Sequence, residues 1–380
     1  MYLYLIFNVG VFISSLMTEG VFIKIKISKR FTDIFYYMWC CVLLFFSAFR
    51  YGIGTDYYTY LNIYDNALTE EFDFNLFVYI IKFLRQMNLP FQIIIIVASC
   101  LFLIPMMYLI YKINYQYKFF SLGILIGFSY YVYSYNIFRQ YSAIGLLLLF
   151  FYFYYQTNKK IWLVTMILPI LIHPSSVVPI VLYWIVNKTK FGYKKLRNIS
   201  LLFIVLFMVI PQSVATQIVK CVMGTFATGI YSAYATTQDA SFLVRIYYQS
   251  MEFIPKVLII PCLLMLPKLI CSYENDEEKI FNQVLAKIYF FYFLLMAFKF
   301  GSEIVSRFMT YFAIVGIFVI PQAFNYVDLN SRSSISLKRW IVRLCGVGII
   351  LVSVYYQIIW MNSNACAAYP YVSIFSRSID

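Results

Sequence analysis

An all-α, polytopic membrane protein is the fold class that this sequence predicts, on three observations. Hydrophobic residues fill 63% of the 380 positions, charged residues only 12%, and the mean hydropathy is +0.78, which is more apolar surface than a soluble core of this size could hide. Apolar runs of about 17 or more residues recur along the chain, as a helical bundle requires and the alternating strands of a β-barrel do not. The Lys and Arg residues behind the formal charge of +14 cluster between those runs, where they set orientation and attract anionic lipid groups. One integral-membrane domain over residues 1–380 follows, with about 11–12 transmembrane helices. No basic soluble domain is left over to bind nucleic acid.

Tyr2 to Ile23 reads as the first span. With no basic stretch before it and no small-residue cleavage site after it, it is expected to be a retained helix rather than a signal peptide. Lys24, Lys26, Lys29 and Arg30 follow and should stay cytoplasmic. A second span, about Phe31 to Phe49, then delivers Arg50-Tyr51-Gly52-Ile53-Gly54-Thr55-Asp56 to the outer face. The loop from Tyr51 to Phe91 is acid-rich, and Leu76 to Leu84 within it is expected to be a short interfacial helix. A third span, Gln92 to Tyr111, returns to Lys112 and Lys118, and a fourth, Phe119 to Tyr133, goes out again. The turn Tyr135 to Gln140 opens the fifth, placing Arg139 at an outer helix end like Arg50.

Basic residues flank Ile161 to Val186 on both sides: Lys159 and Lys160 before it, Lys188 to Arg197 after it. Both flanks belong inside, so this run is expected to be a helical hairpin broken at His173-Pro174, because proline removes a donor and disfavours helix in the residue before it. A seventh run, Ile199 to Val219, leads to an outer loop of about 30 residues containing Arg245, a length usually kept for function. Further runs cover Phe253 to Ile270, Ile280 to Phe300, a helix from Ile304 carrying Arg307, and Trp340 to Trp360, which leaves both termini outside.

The eight cysteines lie mainly in apolar runs, without metal-ligand spacing. Only Cys221 and Cys366 could both face the outer compartment and pair there. The acidic pairs Glu71/Asp73 and Glu274/Asp276 read as loop charge. No nucleotide-binding glycine motif, nucleophile elbow, cofactor signature or metal site is present in the sequence.

Arg50, Arg139, His173 and Arg307 fall on one expected face, with Arg245 in the long outer loop. A charge at the bilayer centre costs about 2.5–3.5 kcal/mol, so several at one level need a partner or a purpose. Guanidinium groups present a planar fork of donors suited to phosphate, and three of them suit a multiply charged anion such as a lipid pyrophosphate. The alternative for each is snorkelling to the interface. His173, the single histidine, is placed to take a proton from a sugar hydroxyl; its alternative is a structural donor at the helix break. Asp56 and Glu303 are rival bases, and Tyr57, Tyr60, Gln140 and Glu303 are candidates for glycan contact.

Phe49 to Tyr60, Asn136-Ile137-Phe138-Arg139-Gln140 with Ala143, His173 with Ser175 and Ser176, and Arg307 with Tyr311 resemble, in that order, the EpsG-like polysaccharide polymerases, close in kind to Wzy-type O-antigen polymerases. That resemblance implies a metal-independent glycosyltransferase of the bacterial inner membrane, with the C-type glycosyltransferase fold. It would join oligosaccharide repeat units carried on undecaprenyl pyrophosphate at the periplasmic face, making O-antigen or exopolysaccharide. It would work without cofactor, among membrane lipid, and with a chain-length regulator protein as a possible partner. The rival classes are a transporter or flippase of lipid-linked glycans, which needs charge through both leaflets, and a membrane O-acyltransferase, which takes its donor from the cytosol.

Overall fold

The computed structural model describes residues 3–19, 28–69, 76–190, 192–209, 264–273, 279–296, 303–330, 344, 346–355, 357–358 and 371–376. Among these there is no strand, only an isolated antiparallel bridge between Arg50 and Ser373. Three helices are long and apolar enough to cross a membrane, Lys29–Ala48, Gln92–Ile113 and Arg307–Phe324; Leu3–Thr18, Ile161–Ile172, Pro174–Val186 and Gly346–Tyr355 are shorter apolar helices. The protein is thus all-α and multi-pass. The chain groups into two compact units, Met1–Ile180 with Ile350–Asp380, and Val181–Ile349.

In the first unit, α2 (Lys29–Ala48) matches the second expected span closely, and α1 (Leu3–Thr18) covers the first part of the first, whose last four residues lie outside the described ones. The acid-rich loop, in which the sequence pointed only to the interfacial helix, holds an additional one, α3 (Thr55–Asp65), ahead of α4 (Leu76–Gln86). Next comes α5 (Gln92–Ile113), on the expected third span. The fourth run is a correction. It is two helices, α6 (Lys118–Gly127) and α7 (Tyr130–Asn136), parted where Ser129 adopts a left-handed φ of 63°. The break is supported locally, since the Ile126 carbonyl accepts from Gln357 Nε2 at 3.3 Å and from the Ser129 amide at 3.0 Å. Gly127 is also pressed against this region, for a Cβ there would lie 2.5 Å from the Ser353 side chain.

The long helix α8 (Phe138–Thr157) packs along α5 through small residues. A Cβ on Gly145 would sit 2.5 Å from the Leu101 carbonyl, and Ser142 Oγ donates to the Ala98 carbonyl at 3.1 Å. Such close backbone approach is how helices gain packing energy where lipid competes for apolar contact. The run after Lys160 breaks into α9 (Ile161–Val164), α10 (Ile167–Ile172), a 3₁₀ turn Pro174–Ser176 and α11 (Val177–Lys188). The break at His173-Pro174 falls where the proline argument puts it; the second, after Val164, was not expected. In the second unit the described helices include α12 (Tyr193–Val209), α13 (Ile280–Met296), α14 (Glu303–Ala313) and α15 (Gly316–Asn330). There Tyr183 Oη donates to the Tyr311 carbonyl at 2.6 Å.

At the end of α1 the Glu19 carboxylate accepts from the Phe119 and Phe120 amides, capping α6, and from Ser15 Oγ at 2.7 Å. Beside it, buried Lys118 pairs with Asp33, which also accepts from Tyr111 and Tyr115.

Candidate functional site

The Arg50 turn has a shape that its sequence dictates. Gly52 and Gly54 have φ of +62° and +101°, and a Cβ on Gly54 would meet the Tyr135 carbonyl at 2.4 Å, so this position is closed to any side chain. From above, the C-terminal segment is laid across the turn. The Tyr51 amide donates to the Val372 carbonyl at 2.9 Å, the Ile374 amide to the Phe49 carbonyl at 3.1 Å, and Tyr371 Oη to the Phe46 carbonyl at 3.0 Å. From below, Gln92 Nε2 donates to the Ala48 carbonyl at 2.6 Å and the Arg50 carbonyl at 3.3 Å.

Arg50 does not face outward. It is 1% exposed, with Nη1 donating to the Ser47 carbonyl at 2.6 Å and to Ser99 Oγ at 3.2 Å, and its guanidinium lies 4.4 Å from the centroid of the Tyr135 ring. Among the described residues no carboxylate lies within ion-pair distance of it, and Nε has no hydrogen-bond acceptor. Burial lowers its pKa, while Tyr135, Tyr4, Tyr131 and Tyr57 around it act the other way; the group stays a cation at any physiological pH.

Arg139 lies half-buried on the first turn of α8, stacked 5.1 Å from the Tyr60 centroid and 5.6 Å from that of Phe77. The two arginine segments are therefore crossed: Arg50 rests on a tyrosine of the α7 segment, and Arg139 rests on a tyrosine of α3. A third tie fixes the cross. Gly54, the residue before α3, has no side chain to cap the helix, and Asn136 Oδ1 takes the Thr55 amide instead, at 3.2 Å. Removing this cap in Asn136→Ala should cost about 1 kcal/mol of stability, while Asn136→Asp should cost little, since aspartate caps as well. Denaturant titration of both variants checks this.

Tyr57 and Tyr60, expected to touch glycan, are instead 2% and 7% exposed and belong to an aromatic cluster with Tyr64, Phe77, Phe91 and Phe138. The tyrosine of this stretch that faces outward is Tyr58, 60% exposed. Gln140 is buried at 3%. Asp56 is half-buried on the first turn of α3.

His173 is half-buried, in an extended conformation (φ −146°, ψ 101°) between α10 and the 3₁₀ turn. Its amide donates to the Pro169 carbonyl at 2.9 Å, and its carbonyl accepts from the Ser176 amide at 2.9 Å. The backbone at the break is thus satisfied by backbone, and the imidazole makes no cap. The turn after His173 packs on α8, whose first turn carries Arg139, and α10 packs on both α8 and α4. The first unit thus contains Arg50, Asp56, Arg139, Gln140 and the His173 break.

Arg307 is exposed on α14 of the second unit, and Glu303 begins that helix. Arg245, Cys221, Cys366 and the pairs Glu71/Asp73 and Glu274/Asp276 lie outside the described residues, as does the side chain of Glu303. Sequence reasoning passed over Asn136 as a cap and Tyr135 as the seat of Arg50; the glycine before a helix lacking its own cap was the available signal for the first.

A protein-family model described as the EpsG family matches residues 33–373. No curated protein and no solved structure matches the chain.

Proposed function

The chain belongs to the EpsG family, and from that membership, with its polysaccharide-polymerase role, we propose that it extends a glycan by joining repeat units carried on undecaprenyl pyrophosphate. The observation that carries this reading is the crossed pair of arginines, two guanidinium groups held on each other's segments with, among the described residues, no carboxylate against Arg50. Such a cationic site is complementary to a departing pyrophosphate. In the reaction, the terminal sugar hydroxyl of one lipid-linked unit attacks the anomeric carbon of the chain on the other. The bond from that carbon to the pyrophosphate oxygen breaks, the glycosidic bond forms, and the hydroxyl proton passes to a base, His173 in the leading assignment and Asp56 in the rival one. Energy is stored in the donor, so no nucleotide is needed, and the protein's contribution is orientation and stabilisation of the leaving group's charge.

Arg139 is the half-buried arginine and makes the direct phosphate contact; Arg50 supplies charge from behind the Tyr135 ring. Arg307 is a separate candidate on the second unit. In this reading the whole chain acts as one polymerase domain, the site faces the periplasm, and the product is O-antigen or exopolysaccharide.

Purified protein given lipid-linked repeat units is expected to produce a glycan ladder. Arg139→Lys keeps the sign of the charge and loses the planar bidentate fork, and should slow ladder growth about 10- to 100-fold, or about 1.4–2.8 kcal/mol. Absence of any ladder with folded wild-type protein and intact lipid-linked units would refute the polymerase reading; translocation of those units across a vesicle membrane would establish the flippase instead.

A further inference from the structure

α3 has two faces. One is the tyrosine row Tyr57, Tyr60 and Tyr64, buried in the aromatic cluster and carrying Arg139. The other is Thr55, Tyr58, Thr59 and Asn62, all exposed, and their spacing of three and four residues places them in one stripe. We propose that this stripe is a saccharide subsite, seating the uncharged sugar rings of a lipid-linked unit next to the charge site on the same helix. The inference rests on the polymerase reading and adds the part of the substrate that the arginines do not touch.

Three observations support it. The first is composition. Thr, Tyr, Thr and Asn are all weak helix formers, and lysine or glutamate would serve a merely solvated helix face better. The helix holds despite them, through the Asn136 cap, the buried tyrosines, and a bond from Tyr64 Oη to the Leu89 carbonyl. The second is charge. None of its four side chains is a cation, and exposed Asp65 borders it. A phosphate or an anionic headgroup finds no positive charge in the stripe, whereas a neutral polyol needs none. Two threonine hydroxyls and the Asn62 amide, whose Oδ1 already accepts from Asn66 Nδ2 at 3.1 Å, offer donors and acceptors to sugar hydroxyls, and a tyrosine ring offers an apolar face with a polar tip.

The third is the placement of Tyr58. Its hydroxyl sits over Gly52, where a Cβ would lie 2.6 Å from Oη, and its ring is edge-on to Tyr57 at 5.4 Å. The turn that aims Arg50 inward thus also makes room for the Tyr58 side chain. From Thr55 to Asn62 the stripe runs about 10 Å at a rise of 1.5 Å per residue, enough for a disaccharide. The competing explanation is an interfacial tyrosine at headgroup level, which accounts for Tyr58 and leaves Thr55, Thr59 and Asn62 unexplained.

The test uses full-length protein in nanodiscs. The probe is the phosphate-free oligosaccharide released by mild acid from the polyprenyl-pyrophosphate pool of cells that express the gene, with binding followed by saturation-transfer NMR and titration. Wild type should bind it, Tyr58→Phe within about twofold, and Tyr58→Ser about tenfold more weakly. The double variant Thr59→Val with Asn62→Leu should weaken binding severalfold. Wild-type affinity in both Tyr58→Ser and the double variant, or no binding of this probe by a wild-type protein that binds the intact lipid-linked unit, overturns the proposal. If the probe binds as expected and no ladder forms, the subsite stands and the polymerase reading falls. A ladder with unchanged probe binding in the variants gives the reverse.

Discussion

Purified His173→Gln protein is expected to bind the lipid-linked donor with near wild-type affinity and to lose about 10²- to 10⁴-fold in turnover, the range that a positioned general base supplies. The argument is one of position. His173 is the chain's single histidine, and at the helix break its backbone amide and carbonyl are bonded to Pro169 and Ser176. The turn it opens is packed on α8, whose first turn carries Arg139. Asp56 is the rival, on the first turn of α3. With the imidazole as base, Asp56→Asn should cost less than His173→Gln. Measuring single-turnover glycan transfer beside donor binding separates the two, and the opposite order would hand the role to Asp56. Equal loss of binding and turnover in His173→Gln would return the histidine to a structural part.

Much of this was legible in the sequence because the responsible physics is local. The break at His173-Pro174 follows from a missing donor and a steric clash, both written in the dipeptide. The helices on the second, third and fifth expected spans, α2, α5 and α8, follow from apolar run length, and the amphipathic α4 from its pattern. The fourth run misled because Phe119 to Tyr133 is apolar throughout, and hydropathy does not register a left-handed residue such as Ser129 that is paid for by a glutamine far along the chain. α3 was missed for the opposite reason. Its residues are poor helix formers, and what makes it a helix is a cap from Asn136 and burial of three tyrosines, all tertiary. The site residues were legible by type, not by direction. Composition marks Arg50 and Arg139 alike as helix-end arginines, and only the turn geometry shows that one is buried on Tyr135 while the other is half-buried on Tyr60.

That difference sets the second large effect. Arg50→Met is expected to melt no lower than the wild type and to slow glycan extension about 30- to 1,000-fold, equivalent to about 2–4 kcal/mol. A buried cation without a counter-charge costs several kcal/mol in desolvation, and replacing buried charge with a hydrophobe of similar volume is often neutral or stabilising. The turn should survive the change, because its other bonds are independent of the guanidinium: Ser47 Oγ to Ser99 Oγ at 2.9 Å, Gln92 to the Ala48 carbonyl at 2.6 Å, and Tyr51 to Val372 at 2.9 Å. Stability alone therefore gives little reason for an arginine here. Its field does: one positive charge about 10 Å from a dianion contributes about 3 kcal/mol at an effective dielectric of 20, close to the expected loss. Because that contribution depends on charge rather than on a fork of donors, Arg50→Lys should recover much of the rate, in contrast to Arg139→Lys, where the fork itself is lost. Differential scanning fluorimetry and ladder assays on the same preparations test both halves. An Arg50→Met protein that melts well below the wild type, or one that extends glycan at the wild-type rate, would make Arg50 a packing residue and leave Arg139 as the first unit's only working arginine in this site.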